Sequence, residues 1–204
     1  MIAIFLLALI RNEVKVMISL DSSNWHDFEI QKLFRIEAPG KRSIKEYNEG
    51  EVPYVSSGSI NNGISSYKEP KKGEVLEKGG CITVSPLDGS SFYQEKDFLG
   101  RGGAGSAISL LYNENLNLYN GIFICTIIKI CAKKFDYNDA LTGNNLKTLV
   151  IKLPIQYNQD DTPFVDNSKE YSEDGYIPDW SFMESYMRSV EPKAQVRINH
   201  LKKL

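Results

Sequence analysis

The sequence predicts an α+β fold, in which a twisted, largely antiparallel sheet with flanking helices is followed by a C-terminal helix. Its β-prone segments are short and close together, and turn dipeptides such as Asn-Gly and Asp-Gly separate them. This spacing favours antiparallel pairing over βαβ units. After Asp179, apolar residues recur at helical spacing. The chain has 204 residues, of which 42% are hydrophobic and 25% charged, so it is long enough to bury a core.

Residues 1–20 form an apolar N-terminal extension. Met1 to Ile10 is almost wholly apolar, but it lacks the positive start and small-residue cleavage site of a signal peptide. It is also too short to span a membrane, which takes about 20 apolar residues. Two interpretations stay open. The segment is an apolar strand or helix that packs on the domain, or it follows from an upstream start codon, with the domain beginning near Met17.

The first half of the domain carries short extended segments. Between Trp25 and Phe34 the apolar residues mix both periods, which predicts an extended stretch leading into one helical turn. Pro39-Gly40 ends that stretch. Strands are then predicted at Val52 to Val55, at residues 79–85 and at residues 91–94.

The second half holds the segment with the highest β propensity. Ile122 to Ile130 is a nearly continuous run of β-prone residues, and we predict a strand buried on both faces. Another strand is predicted from Leu149 to Ile155, ended by its proline. We place the main domain at residues 21–155.

The remainder of the chain divides at residue 179. Residues 156–178 are acidic and polar and form a linker or a surface excursion. Residues 179–204 begin with a helix that Asp179 is placed to cap. Pro192 is expected to break or kink this helix, and a basic tail follows.

Three cysteines, none in a Cys-x-x-Cys pair, argue against a disulfide framework and a zinc site. A reducing, cytoplasmic setting follows from this cysteine usage. We expect no metal, no cofactor and no membrane contact.

Gly100 to Gly105 matches Gly-x-Gly-x-x-Gly. That motif binds a dinucleotide when a buried strand precedes it and a helix follows, with an acidic residue about 20 positions further on. These companions are missing from the sequence. We interpret the segment as a flexible glycine loop whose backbone can approach a phosphate, with Arg101 at hand, or as a plain loop.

Catalytic motifs are also missing. The two histidines, His26 and His200, are far apart in sequence and have no nucleophile beside them. The sequence therefore favours a binding protein over an enzyme.

The polar segment from Ser56 to Tyr67 is the main candidate for recognition. It concentrates hydroxyl and amide side chains around Gly58 and Gly63. Asn can pair bidentately with an adenine edge, and Ser can reach a base or a phosphate. Local composition alone favours a solvated hairpin turn.

Several blocks of the sequence together resemble a known family. They include Tyr47-x-x-Gly50-x-Val52-Pro53-Tyr54-Val55-Ser56-Ser57-Gly58, Asn61-Asn62-Gly63-Ile64-x-x-Tyr67 and Gly89-Ser90-Ser91-Phe92-Tyr93-Gln94. In this order the blocks resemble the target recognition domain of the specificity (S) subunits of type I restriction-modification systems. The ending Ile151-Lys152-Leu153-Pro154, followed by Pro178-Asp179-Trp180-x-Phe182-Met183-Glu184, is similar to S-like subunits of bifunctional, type IIB or type IIG restriction systems. The resemblance covers about residues 24 to 190.

The resemblance implies a non-catalytic subunit that reads one half of a bipartite site in double-stranded DNA. Implied partners are DNA methyltransferase and restriction subunits, and a second half-subunit or second copy bound through the C-terminal helix. Candidate DNA-binding residues are the polar loop and the loop cations and amides: Lys41, Arg42, Lys45, Ser56, Ser57, Ser59, Asn61, Asn62, Tyr67, Lys68, Arg101, Lys133, Lys134, Asn144, Asn145 and Lys147. Because the net charge is -2, we expect weak DNA binding by the isolated chain and tight binding after assembly with methyltransferase subunits.

Two other functions stay open from the residues alone. One is a β-rich protein- or glycan-interaction module without DNA binding. The other, weaker, is a nucleotide-dependent enzyme that uses Gly100 to Gly105. Convergence of the basic loops and the Ser/Asn loop on one face favours DNA.

Overall fold

The computed structural model describes residues 20–103, 107–134 and 140–201. Most of the predicted N-terminal extension therefore lies outside the described residues, although Leu20 packs against the core. The elements, in chain order, are β1 His26–Glu29, α1 Ile30–Leu33, β2 Arg35–Glu37, β3 Glu49–Val55, β4 Ile64–Lys68, β5 Cys81–Val84, β6 Ser91–Gln94, β7 Leu99–Gly100, β8 Ser109–Tyr112, α2 Leu118–Cys131, α3 Gly143–Lys147, β9 Val150–Leu153 and α4 Trp180–Leu201. The α+β class and the strands predicted around β3, β5, β6 and β9 are confirmed.

A four-stranded antiparallel sheet, in the order β2-β8-β5-β6, forms the centre of the domain. Successive residues of a strand point to opposite faces of a sheet. Accordingly, Ile82 and Leu111 belong to the large core on the helical side, whereas Cys81 and Leu110 belong to a second core on the other side. Both faces of this sheet are therefore covered.

A smaller sheet, in the order β4-β3-β7, covers that second face. β3 and β4 form an antiparallel hairpin, and β3 pairs in parallel with β7 through Tyr54 and Leu99. Val55 points to the central sheet, while Tyr54 packs on the outer side against Tyr47. The hairpin that carries the polar loop is thus one layer of the fold.

The strand predicted at Ile122 to Ile130 is wrong, because these residues lie in helix α2. The side chain of Asn117 accepts hydrogen bonds from the backbone N–H groups of Tyr119 and Asn120, and the Asn120 side chain accepts one in return, which forms a capping box. α2 lies between the central sheet and α4. A helix covered on both sides is apolar nearly all round, so the hydrophobic run indicates burial and not strand structure.

A two-stranded sheet joins the start of the domain to its end. β1 pairs with β9, with His26 opposite Leu153, and α1 follows β1 directly. The extended stretch and helical turn predicted between Trp25 and Phe34 are therefore confirmed.

Residues 156–178 fold back on the domain. Antiparallel bridges join Ile155 to Pro178 and Val165 to Tyr176. The acidic side of this segment reaches β1, where Asp174 lies 3.2 Å from His26. These contacts describe a surface excursion and not a free linker.

Helix α4 begins as predicted. The Asp179 carboxylate accepts a hydrogen bond from the Phe182 backbone N–H at 2.8 Å, and Met183 and Met187 are buried in the large core. Pro192 is expected to break or kink this helix, and the break is wrong, since the helix continues through Pro192 to Leu201. Within the described residues, the helices are too short or too polar to cross a membrane.

Candidate nucleic-acid interface

The polar loop between β3 and β4 has a defined backbone. The Ser56 N–H donates to the Gly63 carbonyl oxygen, and the Gly63 N–H donates to that of Ile60, each at 2.9 Å. Asn61, Asn62 and Gly63 have φ angles of 49°, 56° and 74°. Asn tolerates this left-handed region better than most residues, so the Asn-Asn-Gly sequence suits the turn.

The side chain of Asn62 clamps this loop to the edge of the central sheet. Its Nδ2 donates to the Tyr93 carbonyl oxygen at 3.3 Å and to Gln94 Oε1 at 3.1 Å. Gln94 Nε2 donates back to the Asn62 carbonyl oxygen at 3.0 Å and to Thr83 Oγ1 at 3.1 Å. Because its amide is used inside the protein, Asn62 holds the loop and is not placed to read a base.

The outer side of the loop is formed by Ser59, Ile60 and Asn61, all exposed. Asn61 Nδ2 donates one hydrogen bond to the Ile64 carbonyl oxygen at 3.0 Å. An Asn side chain has a second N–H and a carbonyl oxygen for other partners. Tyr67, on β4, is 47% exposed.

Two cationic segments lie beside the loop. The Arg101 N–H donates to the Val55 carbonyl oxygen at 2.8 Å, directly before Ser56. Gly102 forms a parallel bridge with Lys41, and a Cβ at this glycine would collide with the backbone of Pro39 and Gly40. The structure thus brings the polar loop, Arg101 and Lys41 together.

Lys41 and Lys45 are exposed, and no carboxylate of the described residues lies within 4 Å of either ammonium group. A cation of this kind can exchange water and counterions for a phosphate without first breaking an internal ion pair. These two lysines are therefore well suited to bind a polyanion.

Arg42 is placed differently from its predicted role as a DNA contact. Its side chain is 7% exposed and lies 2.7 Å from Glu74 and 2.6 Å from Glu77. It also donates to the carbonyl oxygen of Gly100 at 3.2 Å. Burial opposes its charge, but the hydrogen bonds to both glutamates outweigh burial and raise the pKa of Arg42. We therefore remove Arg42 from the interface and assign it to the framework beneath.

Tyr47 and Lys68 belong to the same framework. The Tyr47 hydroxyl donates to Glu74 at 2.7 Å, and burial together with this carboxylate raises the pKa of Tyr47 to about 12. The Lys68 side chain, 9% exposed, pairs with Glu49 across the β3–β4 hairpin. Lys68 is accordingly also removed from the interface.

The remaining predicted residues form a second group, on other elements. Lys133 follows α2, and Asn144 and Lys147 are exposed on α3, which packs against α1. Asn145 donates to the Ala140 carbonyl oxygen at 3.1 Å. Of Lys134, the backbone is described and the side chain lies outside the described set.

Sequence reasoning missed Gln94 and Ile60. Gln94 is buried, and its role in the clamp depends on a contact between distant segments. A signal for the clamp existed in Asn61-Asn62-Gly63, because three residues that tolerate positive φ need an anchor. Ile60 is 73% exposed, which its apolar character does not predict.

A comparison with protein families decides what kind of domain this is. The family model described as "Type I restriction modification DNA specificity domain" matches residues 22–162, well over half of the chain. The chain belongs to this family. The predicted resemblance to the specificity subunits is confirmed.

Relatives of this DNA specificity domain are specificity subunits. Over 145 residues the chain is 25% identical to the "Type II restriction enzyme BgcI specificity subunit S.BcgI" of Heyndrickxia coagulans, covering 70% of this chain and 36% of that protein. The chain therefore spans about a third of the length of this curated relative.

Solved structures agree on the fold of the specificity domain. The type I S subunit of M. genitalium aligns with a TM-score of 0.51 and 16% identity over 89% of this chain and 42% of that chain. The HsdS subunit of Thermoanaerobacter tengcongensis aligns with 0.51 and 12% over 95% and 44%. A chain from a structure of a type I restriction-modification system aligns with 0.54 and 14% over 98% and 46%.

A cluster that looks catalytic in this specificity domain has a structural role. Ser90 Oγ lies 2.8 Å from Lys129 Nζ, but Lys129 also pairs with the Asp88 carboxylate at 2.9 Å. Lys129 Nζ also donates to the Asp88 carbonyl oxygen at 2.8 Å, so its three hydrogen bonds all go to oxygens of the Asp88–Ser90 turn. Burial opposes ionisation of Asp88, but hydrogen bonds from Ser90 and Lys129 outweigh it and lower the pKa of Asp88 to about 2. The cluster fastens the β5–β6 turn to α2.

The glycine motif likewise lacks the context of a dinucleotide site. β7, which precedes Gly102, has two residues, and the next element in the described part of the chain is strand β8. A Rossmann site needs a helix there.

Proposed function

We propose that this chain is a sequence-specific DNA target recognition domain of a restriction-modification system and reads one half of a bipartite site. In this proposal the loop between β3 and β4 faces the bases, while Lys41, Lys45 and Arg101 contact phosphates. Membership in the DNA specificity domain family supports it. The observation that carries it is the clamped loop, which exposes Asn61 beside two cationic segments.

The clamp supports base reading through preorganisation. A loop that is ordered before binding avoids much of the entropy loss of becoming ordered in the complex. The neutral amide of Asn61 and the hydroxyls of Ser56, Ser57 and Ser59 discriminate base edges, whereas the lysines bind any sequence. Specificity is thus assigned to the loop and affinity to the cations around it.

The net charge of the chain supports the proposal that the active form is an assembled complex. With a net charge of -2, the chain alone has little long-range attraction for DNA. Methyltransferase and restriction subunits supply the catalytic steps and further DNA contacts in this proposal, and the chain itself catalyses none. The family model favours this assignment over a protein- or glycan-binding module.

Helix α4 is the proposed contact for a partner half-subunit or a second copy. One side of it packs on α2, and the opposite side exposes Phe182, Ser185 and Ser189. At about 1.5 Å per residue its 22 residues extend about 33 Å, enough to act as a spacer. Light scattering of the chain, alone and with its methyltransferase subunit, tests this: two copies of the chain per particle in either sample support it, and a single copy in both samples contradicts it.

Methylome sequencing of the host with and without this gene tests the function. Loss of one bipartite methylated motif, restored by the wild-type gene, is the expected result. A methylome that is identical in the two strains contradicts the proposal. Restoration with the Val75→Ala variant serves as a control for a substitution outside the loop, since Val75 is exposed and is not a candidate DNA contact.

A further inference from the structure

Ile60 stands at the most exposed part of the polar loop, and its side chain is 73% exposed. Burial of an isoleucine is favourable, and isoleucines such as Ile82 and Ile151 are fully buried in the core, whereas Ile60 is left in solvent. Ser59 and Asn61 flank it and are polar and exposed. A single apolar side chain therefore projects from a hydrophilic loop.

The backbone fixes this projection. Ile60 is extended, with φ -130° and ψ 167°, and its carbonyl oxygen accepts the Gly63 N–H. The next three residues all have positive φ, and for the two asparagines that conformation is sparsely populated. Asn62 then ties the turn to β6. The clamp thus holds the backbone on the C-terminal side of Ile60 in place.

The surroundings indicate which ligand fits. Lys41 and Arg101 lie on segments that adjoin the base of the loop, so a polyanion suits this side of the domain. On a DNA duplex, the apolar group that the major groove displays is the 5-methyl group of thymine. A thymine methyl in a groove flanked by phosphates matches an isoleucine on a loop whose base adjoins segments that carry a lysine and an arginine.

We infer that Ile60 is a specificity-determining residue that contacts the 5-methyl group of a thymine in the major groove of the target half-site. This rests on the proposed function and adds a base preference to the loop. Asn61 reads hydrogen-bonding edges, and Ile60 distinguishes an A·T pair that carries the methyl group from pairs that lack it. The recognised half-site therefore contains an A·T pair opposite the loop.

Replacement of thymine by uracil tests the contact, because uracil lacks the methyl group and keeps the same hydrogen-bonding edge. The assembled complex with the full chain is titrated with DNA duplexes that carry the motif identified by methylome sequencing. Each thymine of the half-site is replaced by uracil in turn. Wild-type protein is compared with Ile60→Ala. Val75→Ala is the matched control, since Val75 is 78% exposed and lies outside the loop.

One methylene-sized contact corresponds to an affinity change of about fourfold. At one position, uracil should weaken binding of wild-type and Val75→Ala complexes by about fourfold. It should leave Ile60→Ala, already weaker on thymine DNA, unchanged. Equal uracil effects in all three complexes, no uracil effect in any, or a half-site without an A·T pair would overturn the inference.

The proposed function and the role of Ile60 can be refuted separately. If removal of the gene leaves the methylome unchanged, the proposed function is wrong. If the motif depends on the gene but uracil acts independently of Ile60, the domain recognises DNA and the role of Ile60 alone is wrong. Ile60→Ala removes an exposed side chain, so its fold is checked simply by comparing its unfolding midpoint with that of Val75→Ala.

Discussion

Gln94→Ala should release the recognition loop from the central sheet. The Gln94 side chain donates to the Asn62 carbonyl oxygen and to Thr83 Oγ1, and it accepts from Asn62 Nδ2. A hydrogen bond contributes about 1 kcal/mol net, and a buried group left unpaired adds to the loss. Two partners keep another bond, because Asn62 still reaches Tyr93 and Thr83 still reaches Phe92. We expect the free energy of unfolding to fall by about 2–4 kcal/mol.

Urea denaturation measures this loss, and Gln31→Ala is the matched control. Gln31 is exposed and bonds to Glu29, so its replacement should change stability by about 0.5 kcal/mol or less. Hydrogen exchange provides a local readout, since the Ser56 and Gly63 amides should exchange faster in Gln94→Ala. If the two variants have equal stability and loop exchange, the clamp does not hold the loop.

Three further predictions address charge. Arg42→Ala leaves two half-buried glutamates without their cation, so urea denaturation should show a loss of about 3 kcal/mol; a loss under about 1 kcal/mol would contradict a framework role. The pKa of Asp88 is lowered to about 2 in the folded protein, below its unfolded value of about 3.9, so its stabilisation is present above about pH 4 and disappears as the pH falls through about 2. In pH-dependent unfolding, Asp88→Asn should flatten that acid limb, and an unchanged limb would refute the assignment. For the assembled complex, Lys41→Ala should reduce the slope of log affinity against log salt by about 0.9. An unchanged slope would show that Lys41 touches no phosphate. Lys133→Ala, in the same assay, tests whether Lys133 contacts a phosphate.

The hairpin loop was predictable because local chemistry determines it. Asn61-Asn62-Gly63 tolerates positive φ, and a β-prone segment stands on each side of the loop. The different roles of Asn61 and Asn62 within the loop were not predictable. Asn61 and Asn62 are neighbours of the same type, and a contact to Gln94, 32 residues away, decides that one faces outward and the other inward.

Helix α2 shows that the strand propensity of single residues does not determine the type of a buried element. Ile122, Ile124 and Ile128 favour strands as single residues, but helix propensity and strand propensity are both weak against tertiary packing. Gly121 gives the physical reason for the close fit, because a Cβ there would lie 2.5 Å from the Tyr93 ring. The long apolar run identified a buried element, and the capping box at Asn117 was the local signal for its type.

Neighbouring cations have different roles, and the composition of the chain does not show which role each one has. Lys41 and Arg42 are adjacent in sequence, yet Lys41 is exposed and Arg42 lies between Glu74 and Glu77. A charge count assigns both to DNA. The partner carboxylates are more than 30 residues away along the chain, so the fold is needed to separate a surface cation from a structural one.

In the proposed function, the loop between β3 and β4 reads bases. Methylome sequencing of a gene-deleted host carrying Asn61→Ala tests this role, with wild-type and Val75→Ala genes as controls. One half of the bipartite motif should become degenerate or be lost with Asn61→Ala, while both controls should restore the full motif. A methylome in which Asn61→Ala restores both halves unchanged would contradict it.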